Sequence, residues 1–170
     1  PPRRESGRMP PAEKTWLELL LASPDQIPAA AKLIQPAHLT HTDSRAILEA
    51  FYGLASPSRE AILDMARHHE KSERIFALDP EGRLHITEDL GTPEDTIREL
   101  AVMIRREDLA RKRKNLQTRS REASSEEREE LEPEIWRLAM HEGQLKESFQ
   151  LRDWDKALLL LEMIDLQATE

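Results

Sequence analysis

The sequence predicts an all-α protein in which a helical bundle is joined by a long charged helix to a C-terminal helical hairpin. Three observations lead there. Apolar residues make up 38% and charged residues 34% of the 170 positions, a balance that suits helices with broad wet faces over modest cores. Aromatic residues are only 4%, too few for a large β-sandwich or barrel, whose strands draw on aromatic and β-branched side chains. Helix-start chemistry also recurs, with a hydroxyl before a proline at Ser23-Pro24, Ser56-Pro57 and Thr92-Pro93, where a cap and an N1 proline suit the unpaired first-turn amides.

The chain opens PPRRESGRMPPAEK without an initiator methionine, and residues 1–13 read as a linker cut from a longer protein. A bundle is expected over 14–108. Trp16, Leu17, Leu19, Leu20 and Leu21 make its first helix apolar on most sides, hence central to a core. Ser23, Pro24 and Gln26 read as a capping box, which Pro28 interrupts before Ala29 to Ile34 resumes. Thr42 or Asp43 caps a helix with Ala46, Ile47, Ala50, Phe51 and Leu54 on one face, and Ser56-Pro57 opens another with Ile62, Leu63 and Ala66 inward. Residues 74–86 admit two readings, a minor β-hairpin around the Asp79-Pro80-Glu81-Gly82 turn or a helix end followed by a loop.

Thr92-Pro93-Glu94-Asp95 starts a long helix, with two carboxylates where the helix dipole favours them. Ile97, Leu100, Ala101 and Ile104 face the bundle, but apolar residues nearly vanish between Leu109 and Leu116. The helix is expected to leave the bundle there, making 109–132 a connecting helix and charged segment. Ser124-Ser125 caps a new segment, Pro133 either sits in a first turn or kinks a helix, and 133–170 form the hairpin. Leu151-Arg152 is too short a connection for anything but an antiparallel return.

Chemistry is sparse. There is no cysteine, hence no disulfide, thiolate zinc site or thiol nucleophile, which fits a reducing cytoplasm. No P-loop, dinucleotide fingerprint, nucleophile elbow or HExxH signature occurs. His38, His41 and Asp43 could be imagined around a metal, yet they read more simply as a polar loop, and the adjacent His68 and His69 point to different sides of a helix. No catalytic, cofactor-binding or metal-ligating residue is therefore expected. A formal charge of −8 disfavours nucleic acid as the main partner. The basic run Arg111 to Lys114 reads as a solvated face offset by the Glu-rich stretch that follows. No apolar run reaches the ~20 residues of a membrane span.

What remains is surface. At roughly 100° per residue, Trp154, Ala157, Leu158, Leu161 and Ile164 gather on one side of the closing helix, with Leu159, Leu160, Met163 and Leu166 nearly opposite. The first side serves as a seam against Ile135, Leu138, Leu145 and Phe149. The second has no use inside the hairpin, and contiguous exposed apolar patches mark interaction sites. Leu159, Leu160, Met163 and Leu166, with Trp136 and Met140, are the expected docking residues, and self-association through them is the competing expectation.

The order of these pieces resembles the C-terminal helicase-binding domain of bacterial DNA primase. The resemblance rests on the leucine-rich first helix with its SPDQIP break, on TDSRAILEAFYGL, on the long charged helix and on RDWDKALLLLEMIDLQ. It covers well over half the chain by pattern and order. Residues 74–86 and 124–133 look like insertions. The resemblance implies a helical bundle, and a terminal hairpin that docks on the N-terminal domain of the replicative helicase. Catalysis would reside elsewhere in the full protein. A helicase N-terminal domain and a stand-alone helical regulatory adaptor are the alternatives.

Overall fold

A computed structural model describes residues 7–78 and 92–168. Among the described residues there are eight α-helices, two short 3-10 turns and no strand. The chain divides into two compact units, Pro1–Ala101 and Val102–Glu170.

In the first unit, α1 (Pro11–Ala22) starts on consecutive prolines, Pro11 taking the position where a missing N–H costs nothing. Residues 11–13, expected outside the bundle, are instead its first helical turn, with Glu13 inside α1 and buried. Its carboxylate accepts hydrogen bonds from the Thr40 N–H (3.0 Å), the Thr40 hydroxyl (2.6 Å) and the His41 N–H (3.1 Å). Trp16, Leu17, Leu19, Leu20 and Leu21 are all buried, as a central helix requires.

The expected capping box at Ser23 does not form. The 3-10 turn Pro24–Gln26 closes through its backbone, the Gln26 N–H donating to the Ser23 carbonyl at 3.0 Å, while the Gln26 amide turns to Asp25. Helix α2 (Ile27–Leu33) then accommodates Pro28 in its first turn. Helix α3 (Thr42–Tyr52) is capped by His41, not by Thr42 or Asp43. The His41 Nδ1 accepts from the Asp43 N–H at 3.1 Å, which leaves the Asp43 carboxylate free for Lys71 (2.9 Å) and Arg74 (2.6 Å). Ser58 caps α4 (Arg59–His68), two residues beyond the expected Ser56, by accepting from the Ala61 N–H at 3.0 Å. Helix α5 (Ser72–Phe76) takes in Arg74 to Phe76, so this part of the 74–86 stretch is a helix end, whereas 79–86 lie outside the described residues.

Helix α6 (Pro93–Glu122) begins at the expected cap, Thr92 Oγ1 accepting from the Asp95 N–H at 3.2 Å. Ile97, Leu100 and Ala101 are buried in its first part. The division between units comes after Ala101, earlier than the expected break at 109, because Val102 and Leu109 belong to the second core.

That second core is built by three helices, not by a hairpin alone. Helix α7 (Ser125–Gln150) is capped by Ser124 and runs unbroken through Pro133, so the hairpin's first helix starts before 133. Helix α8 (Trp154–Ala168) is capped by Asp153, whose carboxylate accepts from the Lys156 N–H at 3.2 Å. Leu138 and Leu145 from α7 and Ala157, Leu161 and Ile164 from α8 close the expected seam with Phe149 packed against it, and Val102 and Leu109 of α6 join it. Ile135, also expected there, is instead half-buried beside Trp136 outside this core. Phe149 meets Trp154 edge to face at 5.6 Å, and the Arg106 guanidinium lies 5.6 Å from the Phe149 ring.

Where α6 lacks leucines it uses arginines. Arg105, 4% exposed, forms a two-point ion pair with Asp165 of α8. Arg113 does the same with Glu142 of α7, and this hydrogen bonding raises the guanidinium above its ordinary range. Such forked pairs are charge-assisted and directional.

The α7–α8 turn has an unusual feature. Arg152 adopts φ 53°, in the left-handed region. Its N–H donates to the Phe149 carbonyl at 3.1 Å and the Asp153 N–H donates to the Ser148 carbonyl at 3.0 Å. These are the paired bonds of a Schellman C-cap, in which the left-handed position usually holds glycine.

Candidate docking surface

The six residues singled out by sequence lie on the hairpin helices, and five of them are exposed. Trp136, Leu159 and Leu166 keep 64–70% of their surface in solvent, while Met140 and Met163 each keep 40%. Leu160 departs from expectation. It is half-buried and packs against the core cluster, because its helical angle puts it on the shoulder of the Ala157–Leu161–Ile164 stripe instead of at its back.

Each helix turns one stripe inward and carries the exposed one on its back. On α8, Leu159, Met163 and Leu166 stand roughly opposite Ala157, Leu161 and Ile164; on α7, Trp136 and Met140 stand roughly opposite Leu138 and Leu145. Outward apolar residues at i, i+4 and i+7 form a stripe that a partner helix or groove can cover. Leu151 at the hairpin turn is 66% exposed too; reading it only as part of a tight turn concealed it.

No protein-family model, curated protein or solved structure matches the chain. The surface is therefore read from its own chemistry.

The other candidates are occupied by local structure. Both His41 ring nitrogens are engaged, Nδ1 accepting from the Asp43 N–H and Nε2 donating to the Gly7 carbonyl at 3.1 Å. The His38 Nδ1 accepts from the Gln35 N–H at 2.9 Å, and His69 accepts from the Lys71 N–H at 2.9 Å. Among the described residues no three imidazoles or carboxylates converge as a metal-binding group. In the basic run, Arg111 and Lys112 pair with the buried Asp108, Arg113 pairs with Glu142, and Lys114 is exposed. Three of the four cations are thus directed at carboxylates of their own unit. No helix among the described residues is long and apolar enough to cross a membrane.

Two titratable groups, the buried His141 and the half-buried Tyr52, are tuned by their surroundings. Burial, with the neighbouring Arg137, holds the His141 imidazole below its ordinary pKa, against the opposing pull of Glu134. Burial pushes the Tyr52 hydroxyl above the usual phenol range, the Trp16 indole opposing the shift. Tyr52 donates to the Ile34 carbonyl at 2.8 Å, and the Trp16 Nε1 hydrogen has no acceptor in good geometry. Both groups serve the packing of their own unit.

Proposed function

We propose that the chain is a non-catalytic docking domain of the kind found at the C-terminus of bacterial DNA primase. It holds the primase on the N-terminal domain of the replicative helicase, so that primers are made where the duplex is unwound. The reading rests on the resemblance in element order and on one observation above others, the exposed Leu159, Met163 and Leu166 stripe on the back of a folded terminal hairpin. Burying each Leu-sized side chain is worth about 1.5–3 kcal/mol. A stripe left wet is stability that only a partner recovers.

The test is capture of a bacterial replicative helicase N-terminal domain by the immobilised chain. Leu159→Asp with Leu166→Asp is expected to abolish capture while leaving helical circular dichroism intact, because neither side chain contributes to the core. Capture unchanged by this double variant rules the stripe out. Self-association through the same stripe is read separately by sedimentation, where a monomer at high concentration removes it.

A further inference from the structure

We infer that the outward face of α7 is a second docking lane, shaped for one basic amphipathic helix. This deepens the docking reading, resting on the hairpin as a docking element but not on the identity of its partner. The first observation is a shallow cleft of about 580 Å³ lined by Glu129, Glu132, Pro133, Ile135, Trp136 and Ala139. Its floor is mostly apolar and its largest wall is Trp136, 70% exposed.

The second observation is Gly143. It sits within α7 on the same face, at i+7 from Trp136, and nothing lies within 4 Å of where its Cβ would be. Glycine weakens a helix interior relative to alanine, and the fold offers no intramolecular reason to keep one here. An absent side chain beside the exposed Ala139 lets another helix backbone come close, while Trp136 and Met140 supply the anchors beside it.

The charge of the lane selects the occupant. Glu129 and Glu132 are exposed on its N-terminal half and make no ion pair with any described residue. Pro133 has no N–H to offer the Glu129 carbonyl, so that carbonyl also stays available as an acceptor. Lysines or arginines on the occupant would meet these oxygens, and the Trp136 ring face suits a cation as well. An acidic lane on a chain of formal charge −8 repels nucleic acid and disfavours a second copy of itself.

The test titrates the whole chain with a labelled Leu/Lys peptide of about five helical turns, patterned to be amphipathic as a helix. A Leu/Glu peptide of the same pattern and a Leu/Lys peptide of alternating pattern serve as controls. The amphipathic Leu/Lys peptide is expected to bind and to shield Trp136 from acrylamide quenching. Trp136→Ala, Gly143→Leu and Glu129→Lys with Glu132→Lys should each weaken it about tenfold or more, with circular dichroism unchanged. Leu159→Asp with Leu166→Asp should leave peptide binding intact. No binding by the wild-type chain, equal binding to Trp136→Ala, equal binding of either control peptide, or a dimer in sedimentation that Trp136→Ala dissociates would each overturn the inference. Peptide binding without helicase capture would count against the proposed partner and leave the lane standing; capture without peptide binding would do the reverse.

Discussion

Replacing Arg152 by glycine should make the protein more stable. Arg152 occupies the left-handed position of the α7–α8 turn at φ 53°, where an L-residue with a Cβ is strained by about 1–2 kcal/mol. Glycine removes that strain. It also frees the unfolded chain, which returns about 0.5–1 kcal/mol of the gain. The Arg152 side chain is exposed, so the loss of whatever contact it makes subtracts about 0–1 kcal/mol. The net expectation is a small gain of about 0.5 kcal/mol, read as a higher urea midpoint at unchanged slope. Arg152→Pro should do the opposite, because proline fixes φ near −65° and removes the N–H that donates to the Phe149 carbonyl. A glycine variant less stable than wild type would refute the reasoning, since the turn would then depend on the arginine side chain more than on its backbone.

Three further outcomes follow from the same structure. Gly143→Ala should stabilise by about 0.5–1 kcal/mol in urea titration, as its added methyl meets open space and raises helix propensity. Glu13→Ala should destabilise by about 2–3 kcal/mol in the same assay, since three donors at Thr40 and His41 lose their carboxylate; Glu13→Gln should cost less, because its amide oxygen can keep part of the set. The His141 imidazole is held low in the folded state, so the unfolded chain binds more protons. Its contribution is intact above about pH 6.5 and declines as pH falls from there through the depressed folded value. Urea midpoints measured from pH 7.5 downward should fall less steeply for His141→Phe than for wild type.

The hairpin was legible in the sequence because its helices carry their information in leucines. Asp153 before DKALLLLEMIDL and Leu138 to Leu145 on a helical period specify a cap, a seam and a surplus face. The structure caps α8 with Asp153 and closes the seam on Leu138 and Leu145, leaving out only Ile135 of the four α7 residues expected there. The third helix of that core was not legible. Beside the widely spaced Val102 and Leu109, its contacts are made by Arg105 and Arg113, and a search for apolar periodicity sees such residues as solvated charge. His41 escaped notice as a cap because histidine is not among the usual N-cap residues, and its role depends on a ring nitrogen meeting the Asp43 amide. At the docking surface, counting surplus apolar residues found Trp136, Met140, Leu159, Met163 and Leu166 but could not separate Leu160, which lies on the boundary between the faces of α8. Gly143 carried a signal of the opposite kind, a missing side chain, which no count of apolar residues registers.

The arginines of α6 also limit how many structures this sequence can adopt. Leucine seams tolerate sliding, because one apolar residue replaces another after a turn of translation. A guanidinium forked onto one carboxylate does not. Move α6 by one turn, about 5.4 Å, and Arg105 loses Asp165 while Arg113 loses Glu142, so charged groups placed at a core's edge are left without their partners. Two keyed positions, one reading α7 and the other α8, thus fix the alignment of all three helices, and with it the faces that α7 and α8 turn outward.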